Sequence, residues 1–144
     1  MKISTKGRYG LRAIVDLVLY SNGEHVSLIN IAERQNISKN YLEQVFAILR
    51  KTGIVKSVKG AQGGYILAKD ASLITVGEIL RALEGDLSVI SESNDTEMNR
   101  IESHLLSTVW GKIDEKVNEV VDQLTLLEVV NEYKKGTDVL MYYI

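Results

Sequence analysis

The sequence predicts a mainly α-helical fold with one small β-hairpin and a long amphipathic helix after it. Three observations carry that expectation. Apolar residues recur at helical spacing over most of the 144 residues. The one stretch rich in β-branched residues, 54–67, is short and interrupted by glycines. Serine and threonine caps stand just ahead of several apolar-periodic segments.

The first helix runs from Lys6 to Tyr20, with Leu11, Ile14, Val15, Val18 and Leu19 on one side and Asn22-Gly23 as its stop. Ser27 caps a short second helix to about Gln35, which buries Leu28, Ile31 and Ala32. A turn at Asn36-Ile37 leads to a second cap, Ser38. The third helix spans Lys39 to about Thr52 and ends at Gly53, with Arg50 and Lys51 in the last turn, where they complement the helix dipole. Residues 54–59 and 65–67 form the arms of a hairpin around the glycine-rich tip 60–64. Two helices joined by a tight turn and followed by a hairpin make a winged helix-turn-helix.

Thr75-x-x-Glu78 opens an apolar helix through Leu83 that stops at Gly85, so the first domain is expected to span 1–85. The polar, aperiodic stretch 86–97 reads as a linker. From Met98 to Leu124 a long helix carries Ile101, Leu105, Val109, Ile113, Val117 and Val120, with Trp110 beside the stripe. Thr125-x-x-Glu128 begins a last helix to about Lys135, and Gly136 is expected to release a tail. The third unit is therefore 98–144.

With 45% hydrophobic and 25% charged residues the chain can bury one real core. The first residues lack the apolar core of a signal peptide, and no apolar run approaches the ~18 residues that span a bilayer; a cytoplasmic protein is expected. Cysteine is absent, which excludes disulfides, thiolate metal sites and a cysteine nucleophile. The net charge of -2 conceals an asymmetry. Residues 1–69 hold 11 Lys/Arg against 4 Asp/Glu, a net +7, and residues 70–144 hold 6 against 15, a net -9. An anionic partner for the first half follows, although charge alone would equally suit ordinary solvation.

On a helical wheel at ~100° per residue, Leu42, Val45, Phe46 and Leu49 cluster on one side of the third helix. Asn40, Gln44, Ala47 and Lys51 gather opposite, with Glu43 on the flank. Asn and Gln bond bidentately to adenine, Ala touches a thymine methyl, Glu accepts from cytosine, and Lys meets phosphate. A solvated helix face carries such residues as well, and the context decides: a short helix at turn spacing before it, and a basic wing after it. Lys56, Lys59 and Gly60 of the wing let backbone and cation approach a phosphate or a minor groove.

Gly60-x-x-Gly63-Gly64 is not a nucleotide loop, because no Lys-Ser/Thr follows and no helix begins there. His25 and His104, the two histidines, stand in no motif for a metal or an acid-base pair, so neither an enzyme nor a metal site is expected. The carboxylates Asp114, Glu115, Glu119 and Asp122 lie away from the long helix's apolar stripe on a solvated face. That stripe has too little chain left to cover it and reads as a self-association surface, which in a C2 dimer places two recognition helices on a palindromic operator.

Three motifs in order resemble the Rrf family of bacterial regulators over nearly the whole chain. They are Met1-Lys2-Ile3-Ser4-Thr5-Lys6-Gly7-Arg8-Tyr9-Gly10, Ser38-x-x-Tyr41-Leu42-Glu43-Gln44 and Gly60-x-x-Gly63-Gly64-Tyr65. The resemblance implies a homodimeric repressor with the third helix in the major groove and the wing in the minor groove. Ser38, Asn40, Tyr41, Glu43, Gln44 and Lys59 are the residues it carries over. Lys59 departs from the family's frequent arginine, and a hydrated point charge suits a narrow minor groove less well than a planar guanidinium. Cluster-binding members place three cysteines and a histidine where this chain has Glu92, Met98, His104 and Ser107, so no cofactor is expected.

The cysteine-free chain is more similar to the family's cysteine-metabolism repressors, which bind DNA together with cysteine synthase. Its tail, Tyr143-Ile144, either enters that enzyme's carboxylate pocket or is packed on the dimer or frayed. A different regulon, or a winged helix that binds only an acidic protein, are the alternatives.

Overall fold

Seven α-helices and one hairpin follow one another in a computed structural model that describes residues 1–90 and 99–142, the last five of these as backbone only. In order they are α1 (Thr5–Ser21), α2 (Leu28–Gln35), α3 (Lys39–Lys51), β1 (Val55–Val58), β2 (Gly64–Leu67) and α4 (Val76–Glu84). Then come α5 (Arg100–Leu105), α6 (Gly111–Gln123) and α7 (Leu126–Tyr142). A 3-10 turn at Ala71–Leu73 precedes α4, and a π-turn at Leu106–Trp110 joins α5 to α6.

The boundaries have local causes. Asn22 in the left-handed region (φ 44°) followed by Gly23 (φ 82°) ends α1. The hydroxyls of Ser27, Ser38, Thr75 and Thr125 accept from the backbone N–H of Asn30, Tyr41, Glu78 and Glu128, each three residues on. Asn36 (φ 54°) makes the tight turn between α2 and α3. β1 and β2 pair antiparallel with Val55 opposite Leu67 and Val58 opposite Gly64. Val26 adds an isolated antiparallel bridge to β2: its N–H donates to the Tyr65 carbonyl (2.8 Å), and the Tyr65 N–H donates to the Val26 carbonyl (2.9 Å). A Cβ on Gly64 would collide with the Val26 backbone, so only glycine admits this close approach.

One core joins α1, α2, α3, α4, the hairpin base and α7, with Ile14, Leu17, Ile31, Leu42, Phe46, Leu49, Ile54 and Ile79 fully buried. Leu126 and Val130 of α7 belong to it, which corrects the expectation that 98–144 stands apart from 1–85. The Leu126 N–H donates to Ile74 and the Val76 N–H to Leu124, so the start of α7 is stitched beside the start of α4.

The start of the expected linker is likewise bound to the body. Leu87 is buried with Val76 and Leu80, and Asp114 accepts from Ser88 Oγ (2.9 Å) and the Val89 N–H (2.8 Å). Residues 91–98 lie outside the described residues.

The long helix departs from expectation in two ways. Asn99 caps it, its side chain accepting from the Ile101 N–H at 2.8 Å, and the π-turn interrupts it where Gly111 donates to the Leu106 carbonyl five residues back. A tail released at Gly136 is corrected too, since α7 runs on to Tyr142. Gly136 is not among the glycines with positive φ, and a helix anchored by buried Leu126 and Val130 absorbs the ~1 kcal/mol that an internal glycine costs. No described helix is long and apolar enough to cross a membrane.

Candidate nucleic-acid interface

Leu42, Val45, Phe46 and Leu49 fix α3 to the core. Ser38, Asn40, Glu43, Gln44, Ala47 and Lys51 are exposed, so the polar residues of this helix face solvent as a set. Glu43 is tied along the helix to Lys39 (3.4 Å), a pair at i,i+4 that is worth little at such exposure but orients the carboxylate. Tyr41 differs from the rest. It is half-buried and meets Tyr9 of α1 edge-on at 6.1 Å, while Arg12 lies 5.0 Å from the Tyr9 ring.

The wing stands at the N-terminal end of α3. Lys39 and the tip residues Gly60–Gly64 line one groove together with His25, Ser27 and Asn30 at the start of α2. Lys56, Lys59 and Gly60 are exposed. Gly60 takes φ 121°, and the Gly63 N–H closes back on its carbonyl at 3.0 Å, giving the tip a tight turn without bulky side chains. The first residue of α3 and the wing tip thus share one groove, in the half of the sequence with a net charge of +7.

Residues that sequence reasoning missed hold this surface in place. Asp16, fully buried in α1, accepts from Arg34 Nε (3.0 Å), Arg34 Nη2 (2.7 Å) and Gln35 Nε2 (2.9 Å) of α2. The hydrogen bond to Asp16 raises the Arg34 pKa above its ordinary value, and the guanidinium lies 4.0 Å above the Tyr20 ring. Arg12 adds a bond to the Gln35 carbonyl (2.6 Å) just before the turn into α3. The helical wheel of α1 held one signal, for it places Asp16 among Ala13, Ile14 and Leu17, where a carboxylate requires a partner.

At the other end of α1, Glu84 of α4 accepts from the Ser4 N–H (3.0 Å), Ser4 Oγ (2.5 Å) and the Gly7 N–H (2.9 Å). A Cβ on Gly7 would occupy the place of that carboxylate, which gives the Lys6-Gly7-Arg8 motif a structural reason.

The self-association stripe divides. Ile101 (71% exposed), Val120 (63%), Val109 and Ile113 face solvent, whereas Leu105 and Trp110 are half-buried. Val117 turns inward against Val76, Leu80 and Leu87, so it serves the protomer's own packing. Tyr143 and Ile144 lie outside the described residues.

A model of the Rrf2 family, described as an iron-dependent transcriptional regulator, matches residues 3–132. The chain is 40% identical to the HTH-type transcriptional regulator CymR of Bacillus subtilis over 144 residues, the full length of both. Its fold is similar to the solved structure of that protein, named the global cysteine regulator of B. subtilis. There the TM-score is 0.77 at 39% identity, covering 92% of this chain and 98% of that one. It is also similar to T. potens IscR, with a TM-score of 0.76 at 43% identity over 94% and 90% of the two chains.

The iron in the family's description finds no fitting donor set among the described residues. There is no thiolate anywhere in the sequence, and no group of three metal-ligating side chains exists among the described residues. His104 is exposed, and its carbonyl accepts from Ser107 Oγ (3.1 Å) and Thr108 Oγ1 (2.6 Å) within the helix. Glu92 and Met98, at the other positions expected for ligands, lie outside the described residues.

Proposed function

The chain belongs to the Rrf2 family of transcriptional regulators, and from that premise we propose that it is a homodimeric, sequence-specific DNA-binding repressor acting in the cytoplasm. The observation that carries this proposal is the exposed set Asn40, Gln44, Ala47 and Lys51 on a helix locked to the core from behind, with the wing tip beside its first turn. Asn40 and Gln44 bond to adenine edges in the major groove, Ala47 packs on a thymine methyl, Glu43 accepts from cytosine, and Ser38 and Lys51 meet phosphates. Tyr41 braces the start of the helix through Tyr9. Lys56, Lys59 and Gly60 bring the wing to the backbone and minor groove.

The second copy docks on the exposed stripe Ile101, Val109, Ile113 and Val120, with Leu105 and Trp110 at its margin. Twofold symmetry then sets two α3 helices roughly 34 Å apart on successive turns of a palindrome. The test is a titration of promoter duplexes at several salt concentrations. The logarithm of affinity should fall against the logarithm of salt with a slope of several units, at about 0.9 per phosphate contact, and a palindrome should be preferred. Failure to retain any duplex specifically at low salt refutes DNA reading and leaves a protein-interaction module.

The regulon we assign is cysteine and sulfur metabolism, on the strength of 40% identity over the full length of CymR, the protein named the global cysteine regulator of B. subtilis. Cysteine synthase is the proposed partner, captured through Tyr143 and Ile144. Genome-wide footprinting with and without a cysteine source tests the regulon. A cysteine synthase pull-down tests the partner, and capture that survives deletion of residues 143–144 refutes the role of the tail.

A further inference from the structure

The wing tip has a specific mechanical weakness. Its residues 60–63 include two glycines, and a chain so free must lose conformational entropy to enter a groove of DNA. The strand end that leaves the tip is fixed by the Val26–Tyr65 bridge, and within the tip the Gly63 N–H reaches only the Gly60 carbonyl. Among the described residues, one side chain from outside the hairpin bonds to the tip. His25, half-buried in the connection between α1 and α2, sets Nε2 at 2.5 Å from the Gln62 carbonyl. A carbonyl only accepts, so Nε2 carries the proton in this contact.

We propose that His25 is a positioning residue for DNA recognition, latching the wing tip to the body of the domain through Gln62 so that Lys59 and Gly60 meet the duplex pre-ordered. This rests on the DNA-binding function proposed above. His25 is only half-buried, in the connection between α1 and α2, so its replacement opens no cavity among the fully buried core residues. It lines the same groove as Lys39 and the tip, so the latch sits where α3 and the wing come together. Pre-organisation of this kind strengthens binding by lowering the cost of ordering, with no contact of its own to the ligand.

The test begins with a duplex of about 30 base pairs enriched by the wild-type chain from a randomised pool, long enough for two half-sites and both wings. On that probe His25→Leu should weaken binding by about 3- to 10-fold, the range that the net worth of one hydrogen bond converts to. His25→Gln, whose amide nitrogen reaches the position of Nε2, should restore the affinity and the slow exchange of the Gly63 amide that His25→Leu loses.

In a Lys59→Ala background the His25→Leu loss should shrink to within about twofold, because a latch acts through the wing it places. Unchanged affinity for His25→Leu, an equal loss with Lys59 absent, or a Gln variant no better than Leu each overturns the latch while DNA binding stands. If no duplex is enriched over the starting pool, DNA binding fails, and the latch falls with it.

Discussion

Asp16→Ala tests the tie that sets α2, and through it the turn into α3, against α1. The carboxylate is fully buried and accepts from Arg34 Nε, Arg34 Nη2 and Gln35 Nε2 at 2.7 to 3.0 Å. Removing one partner of a fully buried pair costs about 3–5 kcal/mol, because the other charge is left uncompensated. Here the Arg34 side chain is 29% exposed and keeps its place over the Tyr20 ring, so water and the aromatic face recover part of that cost. The expected loss is about 2–3 kcal/mol. With a urea slope of roughly 1–3 kcal/mol/M, the midpoint should fall by about 0.7–3 M, read by circular dichroism at fixed protomer concentration. The double variant Asp16→Leu/Arg34→Met removes both charges and should recover most of the loss. An Asp16→Ala loss below about 0.5 kcal/mol would mean that the pair behaves as a surface pair and does not hold α2.

Gln44→Ala should cost about 1–3 kcal/mol of DNA affinity and relax one base position, whereas Lys59→Ala should weaken all sequences alike and lower the salt slope, both measured by selection and titration. Uniform loss from both variants contradicts the assignment of the α3 face. Ile113→Glu puts a charge on the exposed apolar stripe and should yield a folded monomer in sedimentation; a dimer that persists places the interface elsewhere. Arg81→Met addresses pH. The hydrogen bond from Arg81 lowers the Asp122 pKa below its ordinary value, so this contact stabilises the fold above the usual carboxylate range and is lost as pH falls through the lowered value. The stability gap between wild type and Arg81→Met should narrow on acidification to what the Arg81–Asn118 bond leaves; a gap constant with pH refutes the assignment.

Much of the fold was legible because its signals are local. Ser27, Ser38, Thr75 and Thr125 cap helices with N–H groups three residues ahead, and the two faces of α3 follow from a period of ~3.6 residues. What stayed hidden depends on partners far along the chain. Glu84 reaches Gly7 across 77 positions, and no spacing rule joins a carboxylate at the end of one helix to the start of another. The same limit hid the packing of α7: Leu126 and Val130 look like any amphipathic helix until the core they complete is present. At the candidate interface, periodicity gave the exposed set but not the inward lean of Tyr41 on Tyr9. Nor did it give a role to His25, whose partner is a backbone carbonyl and therefore leaves no trace in residue type.

The two halves of opposite charge are mechanically one body, and α4 is the part they share. Its Glu84 caps α1, its Arg81 grips Asp122 (2.6 Å) and Asn118 (2.6 Å) of α6, and its Val76 N–H takes the Leu124 carbonyl at the entry to α7. α3 packs on both α1 and α4. The orientation of the recognition helix relative to α6 is therefore set by short, directional contacts instead of by a flexible spacer. A dimer built on α6 needs this stiffness, because a palindrome is read only if the two recognition helices keep a fixed separation. It follows that substitutions at Arg81 or Glu84, remote from any base, should broaden the tolerated half-site spacing, whereas substitutions at Gln44 should leave spacing unchanged and alter the base preferred.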